Sequence, residues 1–235
     1  MVLRGQPAGL ISGLTSGLTA GLPSRGMRIT KFGHSCVRIE HDGQVVVIDP
    51  GAFTEREAVD GATAVLVTHE HIDHLDVDHL RATDAPVFTI EAVRTQIADA
   101  DAAVAERVQV VSPGQQVDVG LPVTAIGELH AVIHPDLPRF FNSGFVLDVA
   151  GTRVHHPGDS FIPAGGPVDV LLLPIHAPWS KMSEVVDFAR EVGAPRSVAI
   201  HDGLLNGTGL TVVGRNLSGL LESHERVEPG SDLTL

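Results

Sequence analysis

The chain has 235 residues, 43% hydrophobic and 19% charged, with a formal net charge of -13 and only two lysines, Lys31 and Lys181. That balance fits a folded domain with a substantial core, and it lacks the basic stripe through which a protein grips nucleic-acid phosphates. A single cysteine, Cys36, excludes an internal disulfide and a thiolate zinc cluster, and no run reaches the roughly 18 apolar residues of a membrane-crossing helix.

Residues 1–26 differ from the rest. Positions 9–22 read GLISGLTSGLTAGL, a near-repeat of Gly, Ser, Thr and Leu. A flexible leader is the preferred reading. A secretory signal with Arg4 as a thin basic region is the alternative, weakened by the glycines that interrupt its apolar run. Translation from Met27, which opens a well-patterned strand, is a third. The domain proper is expected to span residues 27–235 and to be cytoplasmic.

Three short strands are expected over 28–32, 36–40 and 44–48, the last two joined by the turn His41-Asp42-Gly43. A buried strand over 64–67 runs into a histidine cluster, and helices follow over 76–82 and 90–105. More strands are expected over 108–111, 117–119, 121–126, 144–149 and 152–155. The continuous apolar run 168–173 predicts a strand covered on both faces. A helix over 183–191, a strand over 197–200, a helix over 212–222 and a final strand over 232–235 complete the chain. Two successive strand-rich halves with helices predict two sheets packed face to face, with helices outside.

The central motif is Thr68-His69-Glu70-His71-Ile72-Asp73-His74, at the end of the strand 64–67. His69 and His71 are two apart, so on an extended segment they project to one side. Asp73 and His74 follow a bend and can meet at a second position nearby. Helical ligands would be spaced three or four apart, and the H-E-x-x-H pattern fails because Asp73 stands where its second histidine belongs. A solvated histidine-rich loop is the plain alternative; three histidines and an aspartate within six residues, capping a buried strand, argue against it.

This H-x-H-x-D-H string resembles the signature of the metallo-β-lactamase superfamily, and the resemblance runs from Met27 to the C-terminus. It implies an α/β fold, an αββα sandwich of two mixed β-sheets with helices on the outer faces and metals at one edge. Three later segments match in order: a strand leading to His130, the stretch Val154-His155-His156-Pro157-Gly158-Asp159-Ser160, and a strand ending at His201. The resemblance implies two divalent metal ions. His69, His71 and His130 hold the first; Asp73, His74 and His201 hold the second; Asp159 bridges them. His134 competes with His130 for its place. Imidazole and carboxylate ligands suit zinc best, with manganese or iron as alternatives. Gly33-His34-Ser35-Cys36 resembles a branch similar to ascorbate-6-phosphate lactonase and phospholipase D-type phosphodiesterases, in which His34 and Asp49 would brace the site.

The reading that follows is a metal-dependent hydrolase in which two ions share a water and lower its pKa toward about 7. The hydroxide would attack a small, anionic ester, lactone, amide or phosphodiester. Asp73 and Asp159 take part in catalysis, with His134 and His176 as candidate acids. His156, His176, Trp179 and Lys181 are expected to face the cleft, and His41, His79 and His224 to lie on the surface. The alternatives are a mononuclear iron oxygenase of the same fold and a non-catalytic, metal-stabilised binding protein. The expected partner is a small-molecule substrate, with oligomeric state open.

Overall fold

The computed structural model describes residues 1–2 and 26–233. The repeat at 9–22, on which the leader reading rests, lies outside the described residues, as do the last two positions of the expected final strand. In chain order the strands are β1 (Arg28–Lys31), β2 (Val37–His41), β3 (Gln44–Ile48), β4 (Ala64–Leu66), β5 (Val87–Thr89), β6 (Val108–Val110), β7 (Gln116–Asp118), β8 (Pro122–Ile126), β9 (Gly144–Val149), β10 (Thr152–His156), β11 (Val170–Pro174), β12 (Arg196–Ile200), β13 (His224–Glu225) and β14 (Ser231–Leu233). They form two seven-stranded mixed sheets, ordered β14-β1-β2-β3-β4-β5-β6 and β13-β12-β11-β10-β9-β8-β7. The helices are α1 (Val77–Arg81), α2 (Glu91–Ala100), α3 (Ala102–Ala105), α4 (Met182–Val192) and α5 (Gly207–Leu220).

Strand alternation explains the layers. In β4, Ala64 and Leu66 face the inter-sheet core with Ile39, Ile48, Phe145, Leu147, Leu172 and Ile200. Val65 and Val67 point the other way, into a cluster with Leu80, Val93, Ile97 and Val104 from α1, α2 and α3. The second sheet repeats the scheme: Leu172 faces inward, while Leu171 and Leu173 pack against Val185 and Phe188 of α4 and Leu217 of α5. Strands buried on both faces carry no polar alternation, which is why β4 and β11 read as unbroken apolar runs. The result is the αββα sandwich.

Several boundaries moved for local reasons. The helical stretch expected over 90–105 breaks at Asp101, whose extended backbone ends α2 and whose carboxylate accepts the amides of Ala103 and Val104, capping α3. The last helix begins at Gly207 rather than 212, because the Asn206 side chain accepts the Gly209 amide. The short strands β5 and β13 had no sequence signal of their own. His79, expected on the surface, is buried, and the half-buried His224 pairs with Ser197 Oγ at 2.9 Å. No helix among the described residues is long and apolar enough to cross a membrane.

The direction of the strands gathers the chemistry. β3, β4, β5 and β6 are mutually parallel, as are β10, β11 and β12, and β8 runs antiparallel to β9. The C-terminal ends of these parallel strands, and of β8, therefore open at one edge of the sandwich. The Ser143 amide donates to Thr68 O at 2.9 Å across the two sheets there. Lys31, fully buried, adds a second tie: its Nζ donates to Asp202 Oδ1 at 2.9 Å, and Arg226 holds the other oxygen of that carboxylate at 2.7 Å.

His155 points outward from β10 beneath α4, buried against Phe188 with both ring nitrogens unpaired. Burial, reinforced by His156 and Arg153, pushes its pKa from 6.5 down to about 3. The folded state thus refuses a proton that the unfolded chain accepts, so stability is full above pH 6.5 and falls as pH drops toward 3. His155→Phe is expected to flatten the loss of melting temperature across that window; an unchanged slope would show that other groups set it.

Candidate metal centre

The turn after β3 and the turn after β4 interlock first. Asp49 is fully buried; its Oδ1 accepts the Thr68 amide at 2.8 Å, and its Oδ2 accepts Thr68 Oγ1 at 2.8 Å and the His74 Nδ1 proton at 2.7 Å. Removing one member of a buried, hydrogen-bonded charge pair of this kind typically costs about 3–5 kcal/mol. Gly51 packs so closely on the ligand loop that a Cβ there would overlap the carbonyl of Asp73. Gly158, at φ +61°, turns the chain tightly against Thr68 and Asn142, directly before Asp159.

The structure brings two groups of ligand-type side chains together: His69, His71, His130 and Asp159 in one, and His34, Asp73, His74 and His201 in the other. Asp159 joins them. Its Oδ1 lies 3.1 Å from His74 Nε2, and its Oδ2 lies 3.1 Å from His201 Nε2 and 3.4 Å from His130 Nε2. His69 Nε2 and His71 Nδ1 approach to 3.0 Å, and His201 Nε2 sits 3.5 Å from Asp73 Oδ2.

Outward hydrogen bonds decide which ring nitrogen faces in. His130 Nδ1 donates to Ala131 O at 2.6 Å, His201 Nδ1 to His176 O at 2.7 Å, and His74 Nδ1 to Asp49. A carbonyl or carboxylate only accepts, so each Nδ1 carries the proton and each Nε2 turns a lone pair inward. His74 Nε2, His130 Nε2 and Asp159 Oδ1 are buried without a hydrogen-bond partner. Inward lone pairs around buried carboxylate oxygens repel one another unless a cation lies between them. The donor set therefore fits metal ions.

The electrostatics say the same. Burial opposes protonation of His74, but Asp159 and Asp49 on either side outweigh it and raise its pKa well above the usual imidazole range, so its inward Nε2 takes up a cation, either a proton or a metal ion, rather than standing bare. Burial likewise opposes the charge on Asp159, yet His74, then His201 and the His130 ring beside it, hold its carboxyl far below the usual range. Asp73 is held low against burial by the hydrogen bond from His34, then by His74 and His201. His34 itself falls to about 4 through burial. Its Nδ1 accepts the Gly203 amide at 3.0 Å, which leaves the proton on Nε2 to donate to Asp73 Oδ2 at 3.0 Å. Neutral His34 thus orients Asp73 rather than offering a lone pair. His34, Asp49 and His201 all adopt positive φ, at 57°, 52° and 57°, a strained conformation that clusters at functional sites.

Several expected site residues stand elsewhere. His134 is not brought into either group: its side chain is 62% exposed and its Nδ1 accepts the Asp136 amide, so the third nitrogen of the first group is that of His130. His176 enters through its main-chain carbonyl, which orients His201. His156, expected in an open loop, is the buried last residue of β10 and donates to Ser35 O at 2.9 Å. Lys181 is an exposed helix-capping residue paired with Glu184. Trp179, expected as a pocket wall, is buried and donates its indole N–H to Asp159 Oδ2 at 2.8 Å. Asn142 gave no sequence signal; its Oδ1 accepts the Asp159 amide at 3.0 Å and its Nδ2 donates to Pro157 O. Phe140, also unforeseen, packs its ring 4.5 Å from that of His71.

Because Gly51 abuts the Asp73 carbonyl, Gly51→Ala is expected to displace Asp73 and His74 while leaving the sheets intact. Titration with divalent metal, followed by calorimetry, should show at least about tenfold weaker binding than in the wild type; wild-type affinity would mean the ligand loop can yield.

A family model for the beta-lactamase superfamily domain matches residues 28–201, from β1 to the last histidine of the cluster. A Mycobacterium tuberculosis protein, Rv0786c, is 38% identical over 185 residues, covering 76% of this chain and 85% of its own length. A UPF0173 metal-dependent hydrolase of Pyrobaculum calidifontis is 29% identical over 189 residues, covering 73% and 82%. The metallo-beta-lactamase fold protein YhfI of Bacillus subtilis superposes with a TM-score of 0.66 at 15% identity, over 88% of this chain and 98% of YhfI. The chain belongs to the beta-lactamase superfamily.

Proposed function

We propose that the protein is a metal-dependent hydrolase with two divalent cations. The observation that carries this reading is the pair of ligand groups joined by Asp159, with three of their buried atoms left unpartnered. His69, His71 and His130 would hold the first cation, and Asp73, His74 and His201 the second, with Asp159 serving both. Such a set suits zinc first, then manganese or iron. Bound there, the cations supply Lewis acidity and a hydroxide nucleophile at neutral pH.

The chain's own groups supply the order that this chemistry needs. Asp49, the carbonyls of Ala131 and His176, and the His34 imidazole fix ring tautomers and the Asp73 rotamer before substrate arrives. Trp179 and Asn142 hold Asp159 from its side-chain and main-chain ends. Asp73 and Asp159 contribute two negative charges against four from the cations, leaving a positive surplus that favours electron-rich carbonyl or phosphoryl groups. The substrates proposed are small molecules, namely an ester, lactone, amide or phosphodiester.

Metal analysis of the purified protein, with a panel of ester, lactone, amide and phosphodiester substrates, tests this reading. About two divalent ions per chain and turnover abolished by chelation are expected. His71→Ala and Asp159→Asn should each lower turnover by at least about a hundredfold and reduce bound metal. Two metals and full turnover in both variants would overturn the assignment; a single iron without hydrolysis would replace it with the oxygenase reading.

A further inference from the structure

A second concavity opens at the same edge of the sandwich. It encloses about 450 Å³ and is lined by Ile90, Val110, Val111, Pro113 and Phe141, together with the exposed Glu91 and Glu128. Ile90 and Glu91 follow the C-terminal end of β5, Val111 follows that of β6, and Glu128 follows that of β8. The ligand loop follows the C-terminal end of the adjacent strand β4. The cleft and the metal centre are therefore neighbours by topology, as ligand sites at the carboxyl ends of parallel strands tend to be.

Shared walls link them. Phe140 packs on His71, and Phe141, the next residue, lines the cleft half-exposed. Ser143, a buried lining residue of the cleft, donates its amide to the carbonyl of Thr68, one residue before His69. Through these two contacts the cleft lining adjoins residues that touch or directly precede the first ligand group.

Size and chemistry narrow the occupant. Small-molecule pockets run from about 300 to 1,000 Å³ and are mostly apolar. Phe141 and Val110 are large apolar side chains left 50% and 40% exposed, so the cleft offers apolar surface to an occupant. Glu91 already pairs with Arg94, and Glu128 is exposed. A carboxylate or phosphate tail would meet like charge there, whereas an uncharged hydrocarbon tail would not.

Resting on the hydrolase reading above, we propose that the cleft is the subsite for an uncharged apolar arm of the substrate, so that the scissile group meets the first ligand group and a hydrocarbon chain extends past Phe141. Each methylene taken fully out of water is worth about a factor of four in affinity, so a partly open cleft still discriminates strongly by chain length.

The test compares kcat/KM for p-nitrophenyl octanoate and p-nitrophenyl acetate with the metal-loaded protein. A preference of at least about tenfold for octanoate is expected. Phe141→Ala, which removes a wall, and Ala92→Phe, which fills the space, should each cut that preference at least about threefold. Leu220→Ser, an exposed apolar residue at the far end of α5, should preserve it. Equal rates for the two esters, or a preference untouched by both cleft variants, would overturn the proposal. Absence of turnover with both esters would count against the hydrolase reading alone, and calorimetry of octanamide against acetamide then decides the subsite. Tighter octanamide binding that is lost in Ala92→Phe supports it; equal affinities, or a preference for octylamine over octanamide, overturn it.

Discussion

A buried carboxylate ringed by the lone-pair edges of histidines is the constraint around which this molecule is built. Asp159 is 2% exposed, and its oxygens lie within 3.4 Å of His74, His201 and His130. Desolvating such a group costs several kcal/mol unless opposite charge compensates. In this protein the compensation is not a fixed arginine or lysine. It is a space shaped for cations: His74, held between Asp159 and Asp49, has its proton affinity raised, whereas burial lowers that of His69 and His71.

That constraint propagates outward. The inward-facing nitrogens of His74, His130 and His201 each have an acceptor behind the ring, namely Asp49 and the carbonyls of Ala131 and His176. Carbonyls can be so placed only if the strands ending beneath them are rigid. The apolar packing of β4 between Leu66's inward face and Val65's outward one, and of β11 in the same manner, provides that rigidity. The buried Lys31–Asp202 pair fastens the first sheet to the loop immediately after His201. Positive-φ residues at His34, Asp49 and His201 mark where the backbone bends away from its preferred conformation to aim these groups.

Much of this was legible in the sequence, for reasons that differ by residue. His69, His71, Asp73 and His74 announce themselves because ligands on a loop after a strand sit close in sequence. His130, Asp159 and His201 were legible only as a set, through their order behind buried strands. Strands covered on both faces, such as β11, were plain from unbroken hydrophobicity. What escaped notice depends on long-range packing. Asn142 is an ordinary polar residue until β9 sets it beside Asp159, and Trp179 resembles a pocket wall until its N–H is seen to point at a carboxylate. His134 and His176 looked equally suited to chemistry because histidine carries no label for whether its ring or its carbonyl will be used. Short strands such as β5 and β13 are defined by their neighbours rather than by their own residues.

The Trp179 contact has a practical side. It is the chain's only tryptophan, hydrogen-bonded to the shared carboxylate and with its ring 5.9 Å from that of His130 and 6.2 Å from that of His201. Indole emission depends on the charge and hydrogen bonding around its N–H. The protein therefore carries its own optical probe at the heart of the centre, one whose signal comes from a single known place and needs no attached dye.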